Sequence, residues 1–303
     1  MSARSHRTLA LRALGLGDLL TALPALRGLR AMRPDSRLVL ATTGWLEPVA
    51  MLSGAVDGVL PVRPLGSIPG WPPALAVNLH GSGPQSTERL REVDPGELWS
   101  YGVPGAPAWD EDDHEVERWC RLVDAHGGAC DRGDLDLPAP SEPPLAGGLT
   151  IVHPGGAAPA RRWPASRWSR VAEELADAGH DVVVTGSAEE RDLCRSVAAG
   201  AGLSEQAVLA GRVDLLGLCA LVACARLVVC ADTGVGHLAT AYRTRSIVLF
   251  GPVPPSRWGP PADRAQHTVL WAGTTSDPFS SEPDPGLLSF TAEDVVAAAL
   301  LRV

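Results

Sequence analysis

The chain has 303 residues, 45% of them hydrophobic, a mean hydropathy of +0.06 and a formal net charge of −9. That length and apolar content suffice for two packed cores and exclude a disordered chain. The acidic balance, with a pI of about 5.4, disfavours a protein that wraps nucleic acid, and no apolar stretch reaches the length of a membrane span.

Every strong base is arginine, since the sequence contains no lysine. The six cysteines, Cys120, Cys130, Cys194, Cys219, Cys224 and Cys230, form no CxxC pair. Buried free thiols are therefore expected, rather than a disulfide framework or a zinc site. The opening MSARSHRTLALRALGLGDLL is basic, but Arg12 and Asp18 interrupt its apolar run. It reads as a strand and a turn, not as a signal peptide.

In chain order, Thr8–Ala13 is a short strand, Gly15-Leu16-Gly17-Asp18 a turn, Leu19–Met32 a helix kinked at Pro24, and Arg37–Ala41 a second strand. This βαβ order within about forty residues signals a parallel sheet. Trp45–Ser53 reads as helical, and Gly58–Val62 and Leu75–Leu79 as strands. The last runs into the polar loop His80-Gly81-Ser82-Gly83-Pro84-Gln85-Ser86. Residues 88–107 have weak periodicity, and Glu111–Asp124 is a helix. The passage 129–148, with PAPSEPPLAGG, is the linker candidate. The boundary falls near residue 145, giving domains 1–145 and 146–303.

The pattern then restarts. Leu149–Val152 is a strand ending in His153-Pro154-Gly155-Gly156, and Trp163–Ala178 is a helix with Trp168, Val171 and Leu175 on its core stripe. Asp181–Thr185 is a strand, Glu189–Ala199 a helix, Val208–Ala210 a short strand and Leu215–Ala223 a helix. Leu227–Cys230 and Ile247–Phe250 are buried parallel strands on either side of Asp232-Thr233-Gly234 and a helix carrying His237. Residues 252–279 are rich in turns, and Thr291–Leu301 closes the chain as a helix.

Four constellations could carry chemistry. Gly15-Leu16-Gly17-Asp18 lacks the third glycine of a dinucleotide fingerprint, because Leu20 stands there, which argues against a nicotinamide dehydrogenase. Asp18 is either a helix cap or a general base. The surrounding Arg4, Arg7, Arg12, Arg27, Arg30, Arg33 and Arg37 form either a solvated basic face or a surface for an anionic acceptor or membrane. His153, Gly155 and Gly156 with Arg161 and Arg162 could hold a phosphate, with loop N–H groups and an arginine fork as donors. In that arrangement one of the two arginines is solvated, and His153 orients the loop. Glu189 and Glu190 either favour the helix dipole or accept two ribose hydroxyls. Asp232, Thr233, Gly234 and Val235 either cap a helix on which His237 packs or turn N–H groups toward an anion.

These strings together resemble glycosyltransferase family 9, the bacterial heptosyltransferase-like enzymes. They are GLGDLLTALPALRGLR, HGSGPQS, HPGG with RRWP and SRWSRVAEEL, VVVTGSAEERDL, LAGRVDLLGLCALVACARLVVCADTGVGHLA, and IVLFGPVPPSRWGP. The resemblance implies an α/β fold of GT-B type, two Rossmann-like domains with a cleft between them. It gives an acceptor domain first and a donor domain second, with the final helix free to pack back on the first. Family members invert the anomeric centre and require no cofactor or metal. They move a sugar, best known as heptose from an ADP-sugar, to a hydroxyl of a lipopolysaccharide core.

By the same resemblance Asp18, after Gly17, falls on the catalytic aspartate, and Arg161 replaces the lysine of a K-x-W-P element that binds donor phosphates. Asp232, Thr233 and Gly234 fall on a D-[ST]-G phosphate loop that Val235 continues, His237 on its partner and Glu190 on the ribose-binding acid. His80, Gln85 and Ser86 become acceptor-side candidates. The expected setting is cytoplasmic, with a glycan, glycolipid or small-molecule acceptor and no nucleic acid as partner, peripheral contact at the inner face of the membrane left open, and a monomer as the default state. Two other readings stay open, a nucleotide-sugar epimerase of the same fold and a non-catalytic nucleotide-sugar-binding protein.

Overall fold

The computed structural model describes residues 6–70, 72–141 and 145–301. The chain forms two compact units, Met1–Pro138 and Ala139–Val303. Arg4 and part of the linker passage lie outside the described residues.

The first unit runs β1 (Arg7–Leu11), α1 (Leu16–Thr21), α2 (Leu23–Met32), β2 (Arg37–Thr42), α3 (Glu47–Leu52), β3 (Gly58–Pro61), β4 (Leu75–Asn78), α4 (Gln85–Arg91), β5 (Glu97–Trp99) and α5 (Glu115–Asp124). Its five strands are parallel in the order β3-β2-β1-β4-β5, with Leu9 of β1 opposite Val39 of β2 and Ala76 of β4. β1 and β4 bury near-continuous apolar runs, as strands covered on both faces must. The expected helix Leu19–Met32 is two helices. Pro24 has no N–H to continue a helix, so it sits in the first turn of α2, where that N–H would have no partner. α1 begins three residues earlier than expected because the Asp18 carboxylate accepts the Gly15 N–H at 3.1 Å, which makes Leu16-Gly17-Asp18 its first turn.

The second unit runs β6 (Thr150–His153), α6 (Ala165–Asp177), β7 (Val182–Val184), α7 (Arg191–Gly200), α8 (Leu215–Ala223), β8 (Leu227–Ala231), α9 (Gly234–Ala241), β9 (Ser246–Leu249), α10 (Pro255–Trp258), β10 (His267–Leu270), α11 (Pro285–Leu288) and α12 (Ala292–Leu300). Its parallel sheet has the order β10-β9-β8-β6-β7. Trp168, Val171 and Leu175 of α6 are fully buried in one core with Val152, Val229, Leu249 and the inner face of α12. The closing helix thus packs within the second unit, against α6 and β9. Val208 makes only an isolated bridge to Val184, so the expected strand at 208–210 does not join the sheet. β10 does join it, from within a segment whose turns masked it.

The strand orders differ. The first sheet has β1 at its centre with later strands on both sides. The second follows the order 2-1-3-4-5 when its strands are counted from β6. In each, the order reverses at one point, between β1 and β4 in the first sheet and between β6 and β8 in the second. Open α/β sheets bind ligands beyond the carboxyl ends of the strands at such a reversal.

Candidate functional site

The loops after β1 and β4 meet at the first reversal. Arg12 directly follows β1 and is 1% exposed. Its guanidinium donates to the Asp18 carbonyl at 2.8 Å, the Leu79 carbonyl at 2.6 Å, Asp18 Oδ1 at 3.2 Å and Glu115 Oε2 at 2.9 Å. Burial lowers its pKa to about 10, against the pull of Asp18, so it stays charged at neutral pH. Asp18 is held on both oxygens, by Arg12 on one and the Gly15 N–H on the other, with its side chain 26% exposed. Gly17 is half-buried beside it. A carboxylate fixed in this way can still take a proton from a hydroxyl.

The His80 ring is placed by the same loop pair. Its Nδ1 accepts the Ala13 N–H at 3.2 Å, which leaves the proton of the neutral ring on Nε2. Burial, reinforced by Arg12 and opposed by Asp18, lowers its pKa. Gln85 is exposed at the start of α4. Ser86 faces inward instead. It is 3% exposed, and its hydroxyl accepts from Asn78 Nδ2 at 2.9 Å. Ser86 belongs to a buried polar cluster with Asn78, Thr87 and Ser100 that braces the loop.

Three of the arginines grouped as a basic surface are instead tied into the fold. Arg12 is in the core. Arg27 spans Asp134 and the carbonyl of Asp136, and Arg30 pairs with Asp57 at 2.5 Å. A buried arginine pays its desolvation only with several partners, and for Arg12 two of them, Leu79 and Glu115, lie far off in sequence.

At the second reversal the loops after β6 and β8 meet. Arg161 Nη1 lies 3.2 Å from Asp232 Oδ2, with side-chain exposures of 24% and 6%. The turn carrying Arg161 is tied down by the Asp284 N–H, which donates to the Ala160 carbonyl at 3.1 Å. Arg162 Nε donates to the Gly156 carbonyl at 3.0 Å, so this second arginine shapes the loop. His153 is buried at the end of β6, with Nδ1 3.0 Å from Thr185 Oγ1. Burial lowers its pKa although Glu190 opposes that shift.

α9 starts beside the pair, and the N–H groups of Gly234 and Val235 have no acceptor within the helix. The Gly236 N–H turns back to the Thr233 carbonyl at 3.1 Å. The Thr233 hydroxyl is buried beside Cys230, with no well-formed hydrogen bond among the described residues. A small cavity here is lined by Asp232, Thr233, His237, Phe250 and Trp258, with the His237 ring edge-on to Trp258 at 6.0 Å.

Glu190 lies over the loop after β6. Its carboxylate accepts the Gly156 N–H at 3.2 Å and the Ser187 N–H at 2.9 Å. A Cβ at Gly155 would stand 2.2 Å from its Oε1, so the absence of a side chain there makes room for the acid. Glu189 is exposed.

All six cysteines are free. Cys224 is exposed because it caps the C-terminus of α8 rather than facing the core. Among the described residues no group of three or more His, Cys, Asp or Glu side chains is arranged to hold a metal ion, and no helix is long and apolar enough to cross a membrane. Sequence reasoning missed Arg12 and Glu115 as site residues. The one available signal was a lone arginine closing an apolar strand.

Residues 138–282 match the sequence profile of glycosyltransferase family 9 (heptosyltransferase). Lipopolysaccharide heptosyltransferase 1 of Pseudomonas aeruginosa is 38% identical over 100 residues, 33% of this chain and 27% of that protein. The matches to this and the next curated relatives span 27–40% of those proteins' lengths. The crystal structure of the glycosyl transferase family 9 from Veillonella parvula has a TM-score of 0.80 at 19% identity, covering 100% of this chain and 98% of that one. The structure of E. coli ADP-heptose lps heptosyltransferase II has a TM-score of 0.77 at 18% identity, covering 98% of each chain. These likenesses extend over both units and establish the expected GT-B class. Residues 138–282, most of the second unit, thus carry the likeness to glycosyltransferase family 9 (heptosyltransferase).

Proposed function

We propose that the protein transfers a sugar from a nucleotide-diphosphate donor, an ADP-sugar such as ADP-heptose, to a hydroxyl of a glycan, glycolipid or small-molecule acceptor. The observation that carries this reading is one of placement. A half-exposed, two-point-held carboxylate stands at the reversal of the first sheet, and an arginine beside a helix start stands at the reversal of the second. The adenine preference rests on the likeness to E. coli ADP-heptose lps heptosyltransferase II.

In this reading Asp18 takes the proton of the acceptor hydroxyl as the oxygen attacks C1 of the sugar. The bond from C1 to the diphosphate breaks in the same displacement, which inverts C1, and the electron pair leaves with the nucleoside diphosphate. The Arg161 guanidinium and the Gly234 and Val235 N–H groups meet the growing charge. Asp232 is itself an anion, so its part is to aim Arg161 rather than to touch phosphate. Glu190, oriented by two amides, keeps lone pairs for ribose hydroxyls, and its burial against the loop favours it over exposed Glu189. His80 and Gln85 stand on the acceptor side, with Ser86 bracing their loop. The donor points to a cytoplasmic setting.

Thermal-shift titration with ADP, UDP and GDP tests the donor grip. Stabilisation by ADP alone is the expected result, followed by ADP release from ADP-heptose that depends on an added glycan acceptor. Turnover of the donor without acceptor dependence would favour an epimerase, and nucleotide binding with no turnover a non-catalytic module. Binding of none of the three nucleotides would overturn the proposal.

A further inference from the structure

Asp18 does not have Arg12 to itself. The same Nη2 that reaches Asp18 Oδ1 at 3.2 Å reaches Glu115 Oε2 at 2.9 Å. Glu115, on α5, is 6% exposed. It also receives the Trp119 Nε1–H at 2.8 Å and pairs with Arg118, whose guanidinium donates onward to the Asp110 carbonyl at 2.8 Å. The Trp119 ring lies under the Arg12 guanidinium, 4.7 Å from its centroid. The charges therefore alternate along one buried row, Asp18, Arg12, Glu115, Arg118, and only the Asp18 end reaches solvent. The remaining titratable neighbours are His80, which faces Arg12 and Asp18, and Asp113, Glu111, Tyr101 and Arg121, which surround Arg118.

We propose that Glu115 is a positioning residue that sets the basicity of Asp18 by sharing the charge of Arg12. The inference rests on the reading of Asp18 as the base. A carboxylate facing a full guanidinium charge in a poorly solvated place is a weak proton acceptor. A second carboxylate on the same guanidinium offsets much of that charge and leaves the first able to take a proton. Arg118 acts on the row from the far end, where its charge offsets that of Glu115. Removing Glu115 and removing Arg118 must therefore shift Asp18 in opposite directions, which a purely structural role for the two residues would not do.

The test follows the pH midpoint of the Asp18 carboxyl carbon by 13C NMR on aspartate-labelled protein, assigned with Asp18→Asn. Glu115→Gln should lower the midpoint by about one pH unit, Arg118→Gln should raise it, and Glu115→Asp should restore much of the parent value. Midpoints that do not move, or that move the same way in Glu115→Gln and Arg118→Gln, overturn the inference. If Glu115→Gln fails to fold, Arg118→Gln decides by the sign of its shift. The base assignment is tested apart from the coupling. Should Asp18→Asn keep its rate of ADP release from ADP-heptose, the base reading falls while opposed midpoint shifts still establish the coupling.

Discussion

Arg161 and Asp232 meet at 3.2 Å where the strand order of the second sheet reverses, and the carboxylate is the more buried partner. A buried acid that holds a half-exposed arginine fixes the arginine's direction without hiding its charge. Arg161→Gln should weaken ADP binding about 10–100-fold, and Asp232→Asn about tenfold by letting Arg161 swing. Calorimetry with ADP measures both. Equal affinities in parent and Arg161→Gln would remove the residue from the donor site.

Gly155 makes room for Glu190. The Cβ of Gly155→Ala would stand 2.2 Å from Glu190 Oε1 and displace the carboxylate from the Gly156 and Ser187 amides. The clash is with a flexible side-chain end, so stability should fall by about 1 kcal/mol or less. ADP affinity should fall several-fold, with smaller losses for nucleotides lacking the ribose hydroxyls. A thermal melt paired with ADP and 2′,3′-dideoxy-ADP titrations separates the two effects.

Much of this was legible in the sequence, and the failures share a cause. Buried parallel strands such as Leu227–Ala231 and the turns Gly15–Asp18, His153–Gly156 and Asp232–Gly234 stand out because an apolar run ends abruptly in small and polar residues. Arg12 was misread because a single arginine beside an apolar run looks the same whether solvated or buried. Its partner Glu115 lies 103 residues away, and no local pattern reports a contact that distant. β5 has three residues and β10 four, too short for periodicity to show. Ser86 sits beside Gln85 in a polar stretch that opens α4, and the bond to buried Asn78 marks the one that faces inward while the other stays exposed.

The Arg12 row also has a stability consequence. Arg12→Met would leave Asp18 and Glu115 without their shared cation in a buried place, costing about 3–5 kcal/mol. Urea unfolding measures it. Glu115→Gln, which removes one charge but keeps the shape, should cost clearly less.

Acid should destabilise the second unit through His267. Burial, aided by Arg264, lowers its pKa from 6.5 to about 4, and its Nδ1 lies 2.8 Å from Ser246 Oγ. The folded state keeps the ring neutral while the unfolded chain takes a proton below 6.5. The stabilisation is therefore complete above pH 6.5 and is lost as pH falls toward 4. His267→Gln should flatten the decline in melting temperature over that window, by the equivalent of about 1–2 kcal/mol after allowing for solvent screening. An unchanged pH slope would show that the ring titrates normally.

The central claim, that one carboxylate primes the acceptor while separate groups grip the donor, is tested most directly by Asp18→Asn. ADP binding by calorimetry and sugar transfer from ADP-heptose are measured on the same preparation. The account predicts ADP affinity within about twofold of the parent and transfer lowered about 10²–10⁴-fold. Transfer that persists near the parent rate with ADP affinity intact would contradict it.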